Sequence, residues 1–389
     1  MITAELAAQY EHILPTYARF DTAFVRGEGS RLYDEAGKEY IDFASGIGVN
    51  SVGYANPVWT AAVANQAATL AHVSNLYYTK PAAELAVKLA KLTGLKQSFF
   101  SNSGAEANEG LIKLARKYSY DKYGEGRSRV VTLVQSFHGR TISTLAATGQ
   151  DVFHNHFMPF TEGFSHVPAG DIEPLKALEG QDVCAVMIEL VQGEGGVLPQ
   201  SAEYVQAVAA LCEKNDWLFL ADEVQTGVGR TGTWFAFQDC GVTPDAVSFA
   251  KGIASGLPLG GFMVGEKALN VLTAGTHATT FGGNPICCAA ALATLEILAE
   301  AVPEVEKKGQ YIREKLAAMN LSKLKLVRGK GLMLGLVVEG APRDYVAAGL
   351  EQGLVALTAG KDAVRLLPPL TISYEEIDKG LAILGGLLK

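Results

Sequence analysis

The sequence predicts an α/β fold in which helices alternate with the strands of a mainly parallel sheet. Five short apolar runs, beginning at Ser98, Arg129, Asp182, Trp217 and Asp245, have the length and composition of buried strands. Segments of helical pattern separate these runs. Alternation of this kind is typical of a parallel sheet with helices on both faces.

The length and the order of elements predict two domains. A chain of 389 residues exceeds the size at which a single hydrophobic core keeps growing. The alternating pattern fills residues 46–285, which we predict to be a large domain. Glu35–Gly37 separates two alternating runs and predicts a hairpin. Because residues 286–389 begin with a long helix and continue with β-rich segments and a final helix, we predict that they join residues 1–45 in a small α+β domain.

Composition excludes several classes of partner. The hydrophobic content of 48% fits a soluble enzyme, and a net charge of -8 gives no general attraction to nucleic acid or acidic lipid. Apolar stretches are interrupted before the roughly 20 residues that span a bilayer, so no membrane segment is expected. The amino terminus lacks the pattern of a secretion signal, and five cysteines without C-x-x-C spacing suggest reduced thiols. We therefore expect a cytoplasmic protein.

An acid and a lysine stand at the ends of two successive predicted strands. Asp222 ends the run from Trp217, and Lys251 follows the run from Asp245. Ligands of open α/β sheets bind at the carboxyl ends of strands, so both side chains would share one crevice. A lysine there can form a Schiff base with pyridoxal phosphate, while a carboxylate facing the pyridine nitrogen keeps the ring an electron sink. The alternative is an ordinary strand-end acid and a solvated lysine.

Small residues between a strand and a helix predict a phosphate site. Ser103, Gly104 and Ala105 precede a helical pattern, and the N–H groups that begin a helix have no intrahelical acceptors. An ordinary N-cap, Ser or Asn followed by Glu, is the alternative. A second turn, Thr279–Pro285, contains a double glycine and offers Thr280 as a further donor to the same phosphate.

Two more strand-end segments carry candidate substrate-binding residues. Phe137 suits stacking on a flat heteroaromatic ring, and Arg140 suits a bidentate contact with a carboxylate. Glu194 lies in a glycine-rich stretch where it can pair with or release an arginine, and Arg365 is its candidate partner. Two independently solvated charges are the alternative. We interpret His138 as structural, because a lysine attached to the cofactor is a better placed base.

Two other patterns predict little. Gly227–Gly232 matches the G-x-G-x-x-G of dinucleotide sites, but it does not directly follow the predicted strand and the residues after it open a helix poorly. Phe153–Phe157 contains two imidazoles without the ligand set of a metal site, so no metal is expected.

Six ordered motifs give nearly the whole chain a resemblance to the class III pyridoxal-phosphate-dependent aminotransferases. They are Asn102-Ser-Gly-Ala-Glu-Ala-Asn, Phe137-His-Gly-Arg, Gln192-Gly-Glu-Gly-Gly, Asp222-Glu-Val-Gln-Thr-Gly-Val-Gly-Arg-Thr-Gly, Ala250-Lys-Gly and Thr280-Phe-Gly-Gly-Asn-Pro. Within the class, the chain is most similar to the members that act on acetylornithine in arginine biosynthesis. The resemblance implies fold type I, with a seven-stranded type of sheet in the large domain, and an obligate homodimer.

The resemblance also implies a cofactor site for pyridoxal 5'-phosphate. Lys251 and Asp222 would be the catalytic residues, with Asp222 at the pyridine nitrogen and Gln225 at the ring hydroxyl. Thr280 would reach the phosphate in the other subunit, so a monomer would hold an incomplete site. The implied cofactor-binding residues are Ser103, Gly104, Ala105, Phe137, Asp222, Glu223, Val224, Gln225, Lys251 and Thr280.

A substrate site and a reaction are implied as well. Arg140, with Thr279 beside it, would hold the distal carboxylate of the substrate. Glu194 would cover Arg365 while the amino donor is bound and uncover it for 2-oxoglutarate. The implied ping-pong reaction moves the δ-amino group of N2-acetylornithine to 2-oxoglutarate and gives N-acetylglutamate 5-semialdehyde and glutamate. Ornithine, succinylornithine, 4-aminobutyrate or lysine is the alternative donor.

Overall fold

The computed structural model describes residues 2–389, which contain 11 α-helices and 17 strands. The helices are α1 (Ala4–Tyr10), α2 (Ser45–Gly48), α3 (Pro57–Thr69), α4 (Lys80–Thr93), α5 (Gly104–Tyr123), α6 (Ile142–Ala147), α7 (Glu173–Lys176), α8 (Ala202–Asn215), α9 (Pro285–Ala318), α10 (Pro342–Glu351) and α11 (Tyr374–Leu388). The strands are β1 (Phe24–Glu28), β2 (Arg31–Asp34), β3 (Glu39–Asp42), β4 (Gln97–Ser101), β5 (Arg129–Leu133), β6 (Phe164–Val167), β7 (Val183–Glu189), β8 (Val191–Gln192), β9 (Leu198–Pro199), β10 (Leu218–Asp222), β11 (Ala246–Phe249), β12 (Gly260–Val264), β13 (Leu324–Lys330), β14 (Met333–Val338), β15 (Leu354–Val355), β16 (Leu357–Ala359) and β17 (Ala363–Leu366).

Seven strands form one large sheet in the order β4-β12-β11-β10-β7-β5-β6. The pairs β11–β10, β10–β7, β7–β5 and β5–β6 are parallel, and β12 runs antiparallel to both of its neighbours. The carboxyl ends of β4, β5, β7, β10 and β11 therefore lie along one edge of the sheet. The predicted α/β class with a mainly parallel sheet is confirmed.

Strands β6 and β12 complete the sheet although the sequence analysis did not predict them. The pair Gly260 and Gly261 opens β12, and glycine usually weakens a strand. Here it allows close packing, because a Cβ on Gly260 would lie 2.5 Å from the carbonyl oxygen of Ser103. The glycine therefore lets β12 lie directly beside the residue that precedes α5.

Both ends of the chain contribute to the smaller sheets. Strand β3 pairs in parallel with β15, which joins the predicted β2–β3 hairpin to the carboxyl-terminal third of the chain. A second sheet, β13-β14-β17-β16, is antiparallel and contains Arg365 in its strand β17. The domain boundaries near residues 45 and 285 stay a prediction.

The long helix α9 follows Asn284, whose side chain accepts hydrogen bonds from the N–H groups of Ile286 and Cys287. By length and composition alone α9 could cross a membrane, but half of its most apolar stretch is buried inside the protein. It packs against α3, α4 and α11. These are the contacts of a helix in the core of a folded domain.

Helix α5 links the sheet to the cavity described below. Ser103 caps it, with its hydroxyl accepting a hydrogen bond from the N–H of Glu106 at 3.2 Å. Further along, a Cβ on Gly110 would collide with the aromatic ring of Phe262 in β12. The helix therefore lies as close to the sheet as glycine allows, and its N-terminus is held at the carboxyl edge.

We expect Gly110→Ala to destabilise the protein by about 1–3 kcal/mol, because the cost of overpacking exceeds the gain of about 1 kcal/mol in helix propensity. Gly386→Ala is the matched control, since nothing lies within 4 Å of the added methyl group in α11. That control should be neutral or slightly stabilising. Thermal unfolding at equal protein concentration measures both variants. A Gly110→Ala protein as stable as wild type would contradict this packing.

Candidate active site

The carboxyl edge of the large sheet surrounds a cavity of about 430 Å³. The segments that follow β4, β5, β7, β10 and β11 form most of its wall. The predicted residues that line it are Ser103, Gly104, Ala105, Phe137, Arg140, Glu194, Asp222, Val224, Gln225 and Lys251. The structure therefore brings together residues that lie up to about 150 positions apart in the sequence.

Asp222 is held at the base of the cavity by four contacts. Its Oδ2 accepts a hydrogen bond from Asn108 Nδ2 at 2.8 Å and lies 2.7 Å from Nδ1 of His138. Its Oδ1 accepts bonds from the N–H of Val224 at 3.0 Å and the hydroxyl of Ser248 at 3.3 Å. Because the carboxylate is buried, this network fixes its direction and stabilises its negative charge.

Asn108 and His138 also line the cavity, and the sequence analysis assigned neither a contact with Asp222. Asn108 lies one turn along α5 from Gly104, so a helical spacing argument could have placed it on the same face. His138 supports Asp222 from behind, which agrees with the structural role that we predicted. Its buried Nε2 has no hydrogen-bond partner within residues 2–389.

Lys251 lies two residues after the end of β11 and adopts a left-handed backbone conformation, with φ of +45°. Non-glycine residues rarely take this conformation, and those that do cluster at functional sites. Burial lowers the pKa of the ammonium group, and the nearby carboxylate of Glu194 partly opposes that shift. A lowered pKa favours the neutral amine, which is the nucleophilic form of lysine.

The start of α5 forms a small cradle in the cavity wall. Ser103 acts as an N-cap, as in the alternative interpretation, and Glu106 accepts a bond from the N–H of Asn102 at 2.8 Å. The N–H groups of Gly104 and Ala105 belong to the first helical turn and have no intrahelical acceptor. A Cβ on Gly104 would lie 2.6 Å from Val224, so this cradle stands directly beside the wall formed by the residues after β10. The capping and phosphate-binding interpretations are therefore compatible.

Glu194 and Arg365 form an ion pair at the side of the cavity. Oε1 of Glu194 lies 2.5 Å from Nη1 of Arg365. Gln225 joins the pair, because its Oε1 accepts a bond from Arg365 at 3.2 Å and its Nε2 donates to Glu194 at 3.4 Å. Burial raises the pKa of Glu194, but the adjacent guanidinium outweighs burial and holds that pKa below its usual range.

Glu189 is a buried residue of the site that the sequence analysis missed. It is the last residue of the apolar strand β7, and in the sequence it looks like an ordinary polar residue at a strand end. Its two oxygens accept hydrogen bonds from the N–H of Phe137 at 2.8 Å and the N–H of Gly193 at 3.1 Å. Burial raises the pKa of its carboxyl group. Glu189 thus ties the segment of Phe137 to the segment of Glu194.

Glu223, a predicted cofactor-binding residue, is not among the residues that line the cavity. Its carboxyl group accepts bonds from the N–H groups of Ala236 and Phe237 at 2.7 and 2.8 Å and from the hydroxyl of Thr226 at 3.0 Å. Burial raises its pKa to about 7. These contacts hold the turn after β10 and leave Glu223 outside the cavity lining, because adjacent residues at a strand end point to opposite faces of the sheet.

Thr279 and Thr280 lie outside the main cavity, on a separate surface pocket. Asn75 donates hydrogen bonds to the carbonyl oxygens of Thr279 and Gly282, at 3.2 and 2.8 Å. Thr280 is exposed. Within one copy of the chain, therefore, these two threonines are not part of the cavity that contains Lys251.

The two remaining patterns are Gly227–Gly232 and the histidine-containing segment Phe153–Phe157. Gly227–Gly232 forms a turn in which Gly229 packs closely against Val302, and no α-helix follows it directly. In the part of the chain that the structure describes, no group of three or more His, Cys, Asp or Glu side chains could hold a metal ion.

A buried carboxylate at the end of β10, a lysine beyond the end of the neighbouring β11 and a helix N-terminus beside them have the chemistry of a pyridoxal-phosphate-dependent enzyme. Residues 15–388 match the family described as aminotransferase class-III, and the chain belongs to that family.

Individual relatives are similar over almost the whole chain. The acetylornithine aminotransferase of Haemophilus ducreyi is 50% identical over 388 residues, which cover 99% of this chain and 98% of the relative. The solved N-acetylornithine aminotransferase of Stenotrophomonas maltophilia has a TM-score of 0.84 at 35% identity and covers 95% of this chain and 96% of its own. The ornithine aminotransferase of Toxoplasma gondii has a TM-score of 0.94 at 30% identity, with coverage of 99% and 95%.

Proposed function

We propose that this aminotransferase moves the δ-amino group of N2-acetylornithine to 2-oxoglutarate in arginine biosynthesis, with pyridoxal 5'-phosphate as cofactor. The observation that carries the proposal is the unequal state of two arginines at the cavity. Arg365 is covered by Glu194, whereas Arg140 lines the cavity without an acidic partner among residues 2–389. The similarity to acetylornithine aminotransferases supports the choice of donor.

The residues of the cavity fit the proposed cofactor. The cradle of Gly104 and Ala105 suits the phosphate, because its N–H groups begin helix α5 and a helix N-terminus attracts anions. Phe137 and Val224 both line the cavity and would hold the faces of the ring. Asp222 would hold a proton on the ring nitrogen. When bound, the cofactor supplies an aldehyde that takes up amino groups and a ring that withdraws electrons from the adjacent carbon.

Lys251 has two functions in this proposal. Its neutral amine, favoured by burial, holds the cofactor before substrate arrives. Once free of the cofactor, the same nitrogen would take a proton from the amine-bearing carbon of the donor and pass it to the cofactor carbon. Asp222 keeps its direction throughout, because Asn108 and His138 hold one of its oxygens.

The ion pair explains how one cavity accepts two different substrates. The donor presents a distal carboxylate to Arg140, while Glu194 neutralises Arg365. The acceptor carries two carboxylates, so the second one replaces Glu194 on Arg365. Replacement is needed because a buried guanidinium without a partner is strongly unfavourable. Gln225 contacts both members of the pair and remains beside Arg365 when Glu194 leaves.

We further propose that the site is completed in a homodimer. Large apolar side chains are exposed next to the turn of Thr280, with Leu76 at 86%, Tyr77 at 67% and Phe281 at 60% exposure. Exposed apolar patches of this kind mark protein interfaces. If a second copy of the chain covers these side chains, Thr280 of the first copy would reach the phosphate site of the second. A cytoplasmic location also remains our proposal.

The donor is tested by the absorbance of the cofactor. N-acetylornithine is added to the purified, yellow holoprotein without acceptor, and 2-oxoglutarate is added afterwards. We expect loss of the yellow absorbance and then its return, with a higher kcat/KM for N-acetylornithine than for ornithine, succinylornithine, 4-aminobutyrate or lysine. Lys251→Ala is the control and should stay dimeric with negligible turnover. A higher kcat/KM for any of these four other donors would overturn the proposed substrate.

Sharing of the site between subunits is tested with a purified heterodimer. One subunit carries Lys251→Ala, and the other carries Thr280→Asp, whose charge repels the phosphate. If Thr280 serves the other subunit, one site of this heterodimer is intact, and about half of the wild-type activity is expected from the symmetry of a dimer.

A heterodimer of Lys251→Ala with Asp222→Ala is the matched control. Both of these residues belong to the site of their own subunit, so neither site is intact and no activity should return. If the Lys251→Ala and Thr280→Asp heterodimer is equally inactive, Thr280 does not reach across the interface.

A further inference from the structure

We propose that Phe153 determines specificity for carboxylate-bearing substrates by holding the guanidinium of Arg140 in position. This inference rests on the role of Arg140 in the proposed function. Phe153 begins the segment Phe153–Phe157, whose sequence pattern does not by itself indicate a contact with Arg140.

The contacts of Arg140 are aromatic. Its Cζ lies 4.1 Å from the centre of the Phe153 ring and 5.5 Å from the centre of the Phe137 ring. The two rings meet edge to face, with centroids 5.7 Å apart and planes at 77°. Across residues 2–389, no acidic side chain lies within ion-pair distance of Arg140 and no hydrogen bond from its guanidinium is formed. The rings therefore hold this cation in place of an anion.

An aromatic support has a different consequence from an acidic one. A ring attracts a guanidinium through its flat face, and the N–H donors of that guanidinium lie in its plane. A carboxylate partner would occupy those same donors in a bidentate contact. Phe153 thus restrains Arg140 and leaves its donors available for the carboxylate of a substrate. Arg365 shows the opposite arrangement, since Glu194 occupies it until the acceptor enters.

Hydrogen bonds fix the backbone around Phe153 and so restrict the position of its ring. The residue ends a short 3-10 helix, Asp151–Phe153, and its N–H donates to the carbonyl of Gln150 at 3.0 Å. The side chain of Gln150 donates to the carbonyl of Ser136 at 3.0 Å. The preceding residues of the same two segments are also joined, because the N–H of Gln135 donates to the carbonyl of Gly149 at 2.7 Å. These bonds join the segment that contains Phe153 to the segment after β5, which contains Phe137 and Arg140.

Phe137 is a poor choice for testing this idea, because its ring is also proposed to cover the cofactor. Phe153 is not among the residues that line the cavity, so its substitution leaves the cofactor contacts in place. Phe153→Leu removes the aromatic face and keeps an apolar side chain. Phe153→Tyr keeps the face and is the matched control.

The experiment compares two donors that differ only in the carboxylate, N-acetylornithine and N-acetylputrescine. For Phe153→Leu we expect the KM for N-acetylornithine and for 2-oxoglutarate to rise about 3- to 10-fold, the scale of a cation–π contact, with kcat changed less than about twofold. The kcat/KM for N-acetylputrescine should stay at the wild-type value. Phe153→Tyr should behave as wild type with all three compounds.

Three results would overturn the inference. The first is an equal fall in kcat/KM for both donors in Phe153→Leu, which indicates a general structural role. The second is an unchanged KM for N-acetylornithine in that variant. The third is a KM rise of similar size in Phe153→Tyr.

Failure of the proposed function gives a different pattern. In that case the wild-type enzyme itself would not use N-acetylornithine, and ornithine with putrescine becomes the donor pair for the same comparison. The same expected and contradicting results for the Phe153 variants then apply to ornithine and putrescine.

Discussion

A buried carboxylate at the end of a parallel strand is the constraint on which the rest of this site depends. Asp222 ends β10, whose neighbours β7 and β11 bring Glu189 and Ser248 into register beside it. Taking a charge out of water is expensive unless hydrogen bonds replace the lost hydration. Helix α5 and the segment after β5 meet that requirement with Asn108 and His138. The positions of the phosphate cradle and of the ring-stacking segment therefore follow from the elements that stabilise one charge.

A second theme is the use of charge pairs that can be exchanged. Glu194 and Arg365 compensate each other inside the protein, and Gln225 holds both. In the proposed function, an incoming carboxylate replaces Glu194 at little electrostatic cost, because one anion substitutes for another. The positive charge of Arg140 is stabilised differently, because aromatic rings and solvent surround it in place of an anion. The two arginines thus differ in what a substrate must displace to reach them.

Much of this site could be predicted because its residues stand at strand ends or helix starts. Asp222, Lys251 and Gly104 each mark a change from one element to the next, and parallel strands bring such positions together. Asn108 and Glu189 were missed because their contacts cross 114 and 52 positions of sequence, and neither residue stands out locally. Glu223 lies outside the cavity lining although it adjoins Asp222 in the same motif, because successive residues along a strand point to opposite faces of the sheet. Strand β12 was missed because its paired glycines resemble a turn.

In the proposed function, Lys251 carries the cofactor in this cavity. To test this directly, the yellow holoprotein is treated with borohydride and digested, and the modified peptide is mapped by mass spectrometry. Reduction makes the link between a lysine and an aldehyde permanent, so we expect a pyridoxyl phosphate group on Lys251 and loss of the yellow absorbance. Attachment to a different lysine, or a protein that gains no such group, would contradict it.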